Sequence, residues 1–184
     1  MYGVAFVRLG DVGSFYGGLT GKSKQDFQDG NALYLPYMNV FLNQAVDPDA
    51  LCEVRIAPNE RQNVIQYGDI IFTGSSESQE ECGLTSVVTI PLSEPVYLNS
   101  FCFGLRLNDV DVITPDFAKH LFRSQKIRKQ IVKNASGVTR FNLSKVKMED
   151  VVIPIPSLSI QQSVANMLNR FHSLCNDLTS GLPA

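Results

Sequence analysis

Residues Thr114–Ala135, TPDFAKHLFRSQKIRKQIVKNA, are where the period of the chain changes, and their reading decides the fold. Thr114 stands as an N-cap, Pro115 presets φ at the first helical position, and Asp116 sets a carboxylate against the positive end of the helix dipole. Phe117, Leu121, Ser124, Ile127 and Ile131 recur at helical spacing on one side, while Lys119, Arg123, Lys126, Lys129 and Lys133 fall on the other. The pattern predicts one helix running to Ala135, with one face that packs and one that is basic.

Upstream of this stretch the period is that of strands. Val4–Val7, Ala32–Leu35, Val54–Ile56, Ile70–Thr73, Ser86–Ile90 and Phe101–Leu107 are short apolar or alternating runs. Gly17-Gly18, Asp47-Pro48, Pro58-Asn59 and Gly68-Asp69 separate them, because Gly reaches positive φ, Pro presets φ and Asn or Asp bond their own backbone. Downstream, Val151–Ile153 is strand-like and Pro154-Ile155-Pro156 is expected to end the globular body. Ser159 with Gln162 forms a capping-box pattern, and Ile160, Val164, Met167, Phe171, Leu174 and Leu178 repeat at alternating four and three. That heptad seam is short, so packing on its own domain and pairing with another helix both fit it. Sheet-rich body, basic helix and heptad helix together fit a chain of 184 residues with one core.

Charge is near balance over the whole chain, 16 basic residues against 18 acidic, but it is segregated. Lys119–Lys147 holds nine basic residues and no acidic one. A row of cations on a rigid helix suits phosphate contact, which is salt-dependent and blind to sequence; the plainer reading is a solvated face. Cys52, Cys82, Cys102 and Cys175 form no Cys-x-x-Cys pair and are expected to be buried free thiols. His120 and His172 lack a second ligand at metal spacing, so no metal site is expected. Met1–Leu9 is too short and too polar at Arg8 for a signal peptide, and no apolar run suits a membrane span, which points to the cytoplasm. Gly17–Ser23 imitates a phosphate-binding loop, but Tyr16 stands where that loop requires glycine. No dinucleotide fingerprint or nucleophile elbow is present.

Seven segments, in order, carry a likeness: Val7–Val12, Gly17–Ser23, Tyr34–Asn39, Tyr67–Glu77, Tyr97–Phe101, Ala135–Arg140 and Ile153–Pro156. Together they resemble the target recognition domain of type I restriction-modification specificity subunits, bacterial or archaeal proteins. The resemblance implies an α+β fold: a curved, mostly antiparallel sheet domain with a basic helix over residues 1–157, then the start of a coiled-coil spacer helix over 158–184. It implies a non-catalytic subunit that reads one half of a bipartite site in double-stranded DNA. Two modification subunits, using S-adenosylmethionine, would methylate, and a restriction subunit, using ATP and magnesium, would cleave; no cofactor or metal is implied for this chain. Ile160, Val164, Met167, Phe171, Leu174 and Leu178 would form the partner helix, toward a second recognition domain or a second copy. Full subunits of the family hold two recognition domains where this chain holds one, and Gln161-Gln162 replaces the family's frequent Glu-Gln at the start of the spacer.

The candidate DNA-binding residues are Thr20, Lys22, Ser23 and Lys24 on the Gly-flanked loop, Asn39, and Thr73, Ser75, Ser76 and Glu77 at the end of a buried strand, with Lys119, Arg123, Lys126 and Arg140. Arg140 is the strongest reader of a guanine edge or a phosphate, since its planar fork bonds in two places at once. Two other readings stay open: a nucleic-acid-acting enzyme domain, and a module of subunit assembly whose basic face is idle.

Overall fold

The computed structural model describes the backbone of residues 3–180 and the side chains of residues 3–175. Its centre is a four-stranded antiparallel sheet in the order β2 (Gly13–Gly17), β9 (Cys102–Leu107), β5 (Ile70–Thr73) and β7 (Thr85–Val87). Every residue of β5 is buried, because its two faces feed two cores. Ile70 and Phe72 point to one core with Phe103, Leu105, Phe122, Ile127 and Ile131; Ile71 points to the other with Leu35, Val40, Val88 and Leu98. This is why Ile70–Thr73 is a continuous apolar run and not an alternating one. Phe72 stacks on Phe103 at 5.2 Å and takes the edge of Phe122 at 5.7 Å.

The second core is closed by a three-stranded sheet, β4 (Cys52–Val54), β3 (Ala32–Leu35) and β8 (Val96–Leu98), in which β3 and β8 run parallel. A one-turn α1 (Leu9–Val12) follows β1 (Ala5–Arg8), and α2 (Tyr37–Leu42) follows β3. Small strands complete the edges. β10 (Ala135–Ser136) and β11 (Phe141–Leu143) extend β6 (Ser75–Ser76), and β12 (Val152–Ile155) pairs antiparallel with β1. The short α5 (Lys145–Met148) lies between β11 and β12.

The expected single helix over 115–135 is two helices, α3 (Pro115–Leu121) and α4 (Gln125–Lys133). Phe122 drops into the core with no exposed surface, and Ser124 turns to extended geometry as the N-cap of α4. Ser124, counted on the apolar face in the one-helix reading, is instead the type of residue that starts a helix.

Pro154-Ile155-Pro156 does not end the body. Pro154 lies within β12 opposite Phe6, and Val152, two residues away on the same side, bonds outward to the side-chain amide of Gln130. The N–H that proline lacks thus falls on the strand edge away from β1, where it is not needed. The last helix, α6, spans Leu158–Ser180, starting before the expected Ser159 cap. The amides of Ile160 and Gln161 donate to Ser157 O, and Gln162 bonds Asn166 in place of a cap.

Gln161 has no exposed surface and makes three hydrogen bonds: its oxygen accepts from Thr114 N (2.9 Å), and its amide donates to Val112 O and Pro156 O (both 3.0 Å). It fixes the start of α6 to the start of α3. Gln161→Ala is expected to cost about 2 kcal/mol by stranding these backbone groups, read as a lower urea midpoint with an unchanged slope. Ala165, one turn on, is also fully buried, whereas Met167, Phe171 and Leu174 are exposed. Val164 packs on the first core and Ile160 is half-exposed; the side chain of Leu178 lies outside the described residues. Among the described residues no helix is long and apolar enough to cross a membrane, and no group of three His, Cys, Asp or Glu could hold a metal. Cys82 and Cys102 are buried free thiols as expected, while Cys52 and Cys175 are exposed. Burial pushes the Cys102 thiol up to about 12, outside the reactive range.

Candidate nucleic-acid interface

Four turns meet at one end of the central sheet. The loop Gly17–Thr20 leaves β2 and lies against the β8–β9 turn, with Leu19 N donating to Leu98 O at 2.7 Å. A Cβ on Gly18 would stand 2.0 Å from Asn99 O, so only glycine permits this approach. Gly74, between β5 and β6, donates to Phe101 O at 2.7 Å and accepts from Leu143 N at 3.0 Å. The hairpin from β10 to β11 turns at Gly137, whose φ of +150° brings its α-carbon close to Arg140 O. Between these turns is a cleft of about 360 Å³ lined by Thr20, Ser75, Phe101, Asn142 and Lys145 and by Gly17, Gly18 and Gly74.

The Arg140 guanidinium lies 5.5 Å from the ring centroid of the exposed Phe101 at this cleft. An aromatic ring under an arginine holds the planar fork outward without neutralising it. Lys145 stands nearby, on the first turn of α5. The arrangement offers one cation that reads in two places, a second point charge, an amide at Asn142 and an exposed aromatic face, which are the groups that engage phosphates and base edges.

Of the candidate residues, the cleft gathers Thr20 and Ser75 and sits beside Arg140. Thr20 is exposed, its backbone clamped by the Gln62 amide. Lys22 is turned inward: its ammonium donates to Arg55 O at 2.6 Å and pairs with Glu60 at 2.5 Å, with 8% of the side chain exposed. That contact, with the Ala57 amide, holds the Glu60 carboxyl down at about 2. Ser23 caps a 3₁₀ turn over Lys24–Phe27 in a reciprocal box with Asp26, and Lys24 is exposed. Asn39 is buried and holds the turn after α2 through Asp47 and Ala50. Thr73 and Ser76 are buried in their strands, Ser75 is buried as well although it lines the cleft, and Glu77 is exposed.

The basic segment divides into cations turned inward and cations left exposed. Arg123 is turned into the fold: Nε donates to Thr85 O (2.8 Å) and Nη2 to Val40, Phe41 and Asn43 O, capping α2. Arg128, not among the candidates, clamps the turn after β6 through Gly83, Glu80 and Cys82 O. Lys119 pairs with Asp116 at 2.7 Å. Lys126, Lys129, Lys133, Lys145 and Lys147 are exposed, Lys126 lying 5.9 Å from the Phe6 ring centroid. The forks of Arg123 and Arg128 satisfy clusters of carbonyls inside, and these five lysines stay in water. Sequence reading missed Phe101, Asn142 and Lys145 as cleft residues; the quoted Tyr97–Phe101 segment and the uninterrupted basic run were the signals available.

A family described as type I restriction modification DNA specificity domain matches residues 1–184. A provisionally named type I specificity subunit of Mycoplasma pneumoniae is 36% identical over 118 residues, 64% of this chain and 31% of the relative. The type I restriction enzyme MpnII specificity subunit of the same organism is 41% identical over 46 residues, 25% of this chain and 14% of that protein. Among solved structures, the S subunit of a type I restriction-modification system from M. genitalium superposes with a TM-score of 0.62 at 16% identity, over 97% of this chain and 41% of that one. The HsdS subunit from Thermoanaerobacter tengcongensis gives 0.65 at 18%, over 99% and 40%. The structural likeness is one of fold, and the chain spans well under half the length of each of these proteins.

Proposed function

The chain belongs to the type I restriction modification DNA specificity domain family, whose model covers residues 1–184, and on that premise we propose that it is a sequence-specific DNA-binding module that does no chemistry itself. It reads one half of a bipartite duplex site and directs modification subunits that methylate with S-adenosylmethionine and a restriction subunit that uses ATP and magnesium. The observation that carries the reading is the cleft, where Arg140 over Phe101 stands beside Asn142 of β11 and Lys145 of α5. Rigid support of this kind is what a base-reading group needs, because a bidentate contact discriminates only if the fork is held in register.

The exposed Met167, Phe171 and Leu174 of α6 support the reading of that helix as a spacer, since an apolar seam left in water is covered when a second helix pairs with it. That helix belongs to a second recognition domain or to a second copy. The test of function is selection from a random duplex library with the chain held by its modification subunits, comparing the native protein with Arg140→Ala. A short motif is expected, and the substitution is expected to relax one position in it at a cost of about 1–3 kcal/mol. An intact complex that binds DNA and yields no motif would sink the proposal.

A further inference from the structure

A second cavity, of about 630 Å³, opens between α6, α3 and the turn after α2; its walls include Asn43, Gln44, Lys119, His120, Asn169 and His172, and Arg123 forms part of it too. It shares no lining residue with the cleft described above. His120 and His172, far apart in sequence, meet here because α6 crosses α3 at Gln161 and again where His120 Nε2 lies 2.7 Å from Asn169 Oδ1.

The lining is short of negative charge. Arg123 forms no ion pair among the described residues, and burial, with Arg128 behind it, holds its pKa down at about 10. Burial is also the first cause lowering His120 below the ordinary histidine range, with Lys119 and His172 adding to it; Asn169 and Asp116 oppose. Asp116 is the one carboxylate acting on this group from α3, and Lys119 already engages it at 2.7 Å. The turn after α2 contributes Asn43 and Gln44, which carry no charge, and its end carbonyls are covered by Arg123.

We propose that this cavity binds a phosphate-class oxyanion between His120 and His172, with Lys119 beside it and Arg123 at its wall. The anion supplies the counter-charge the lining lacks, and Asn43, Gln44 and Asn169 supply neutral hydrogen-bonding groups around it. Two sources carry that chemistry, free inorganic phosphate and the phosphodiester backbone of DNA.

The test follows the histidine ring resonances of the full chain by NMR while inorganic phosphate, a short random duplex, or chloride at matched ionic strength is added. Phosphate is expected to raise the titration midpoint of His120 by about one pH unit, the effect of an opposite charge within about 4–6 Å, and to shift the His172 ring saturably. His172 is exposed, so His172→Gln leaves the fold intact and is expected to weaken phosphate about tenfold. A saturable response to phosphate assigns the site to the free ion, and a response to duplex alone assigns it to the DNA backbone. No response beyond the chloride control, or an undiminished one in His172→Gln, overturns the proposal.

Discussion

Replacing Asp69 with alanine is expected to lower the unfolding free energy by about 3 kcal/mol, the low end for removing one partner of a buried ion pair. Asp69 is 1% exposed and accepts four hydrogen bonds: Tyr16 OH at 2.5 Å, Arg106 Nε at 3.0 Å, Arg106 Nη2 at 2.7 Å and Gln66 N at 2.8 Å. Arg106 also lies over the Tyr16 ring at 4.9 Å, and burial first, then the Asp69 charge, drives the Tyr16 hydroxyl well above its ordinary range. Without the carboxylate, the Tyr16 hydroxyl and the Gln66 amide lose their acceptor. Arg106 is 37% exposed and recovers water in part, which keeps the loss at the lower end. Arg106→Leu is the counter-experiment, since it leaves a buried carboxylate without its cation. Changing both residues to apolar ones is expected to cost less than the two single losses added together, because the pair is coupled. Equal stability of Asp69→Ala and the native chain in urea would show that the node contributes nothing.

The Asp69 node also shows which parts of the fold were legible. Tyr67–Phe72 carried much of the family likeness, and its content is structural: Gly68 at φ +86° makes the turn, Asp69 gathers three elements, and Ile70–Phe72 fills both cores. Runs of this kind are readable because burial on both faces leaves a continuous apolar stretch. Strands β6 and β10 were not readable, since two residues each cannot display a period. Strand β2 was hidden by its glycines, although Gly13 is required there by the approach of Arg106 O, 2.6 Å from where a Cβ would stand. The site was less legible than the fold. Thr20 and Arg140, picked out on turns, lie in and beside the cleft, but the side chains of Lys22, Asn39 and Arg123, taken as DNA contacts, point inward. A sequence shows that a cation is present, and only the tertiary fold shows whether carbonyls or water surround it. The meeting of His120 with His172 depends in the same way on where Gln161 pins α6.

That difference makes the largest test of the basic segment a comparison between two kinds of cation. Arg123→Leu is expected to destabilise the chain by about 3 kcal/mol, because Thr85, Val40, Phe41 and Asn43 each lose a charged donor in a partly buried setting. Its folded fraction is expected to bind DNA with an unchanged salt slope, since a guanidinium spent on four carbonyls releases no counterions. Lys126→Gln with Lys145→Gln is expected to do the reverse. Both lysines are exposed, so stability should stay within about 0.5 kcal/mol, while the slope of log affinity against log salt falls by about 0.9 for each phosphate contact removed. Urea melts and salt-dependent anisotropy on the same three proteins, the native chain, the Arg123 variant and the double lysine variant, separate the two effects. A stable Arg123→Leu with a reduced slope would place Arg123 on phosphate after all. A double lysine variant with an unaltered slope would mean that neither Lys126 nor Lys145 contacts phosphate, leaving Arg140 as the cation of the cleft.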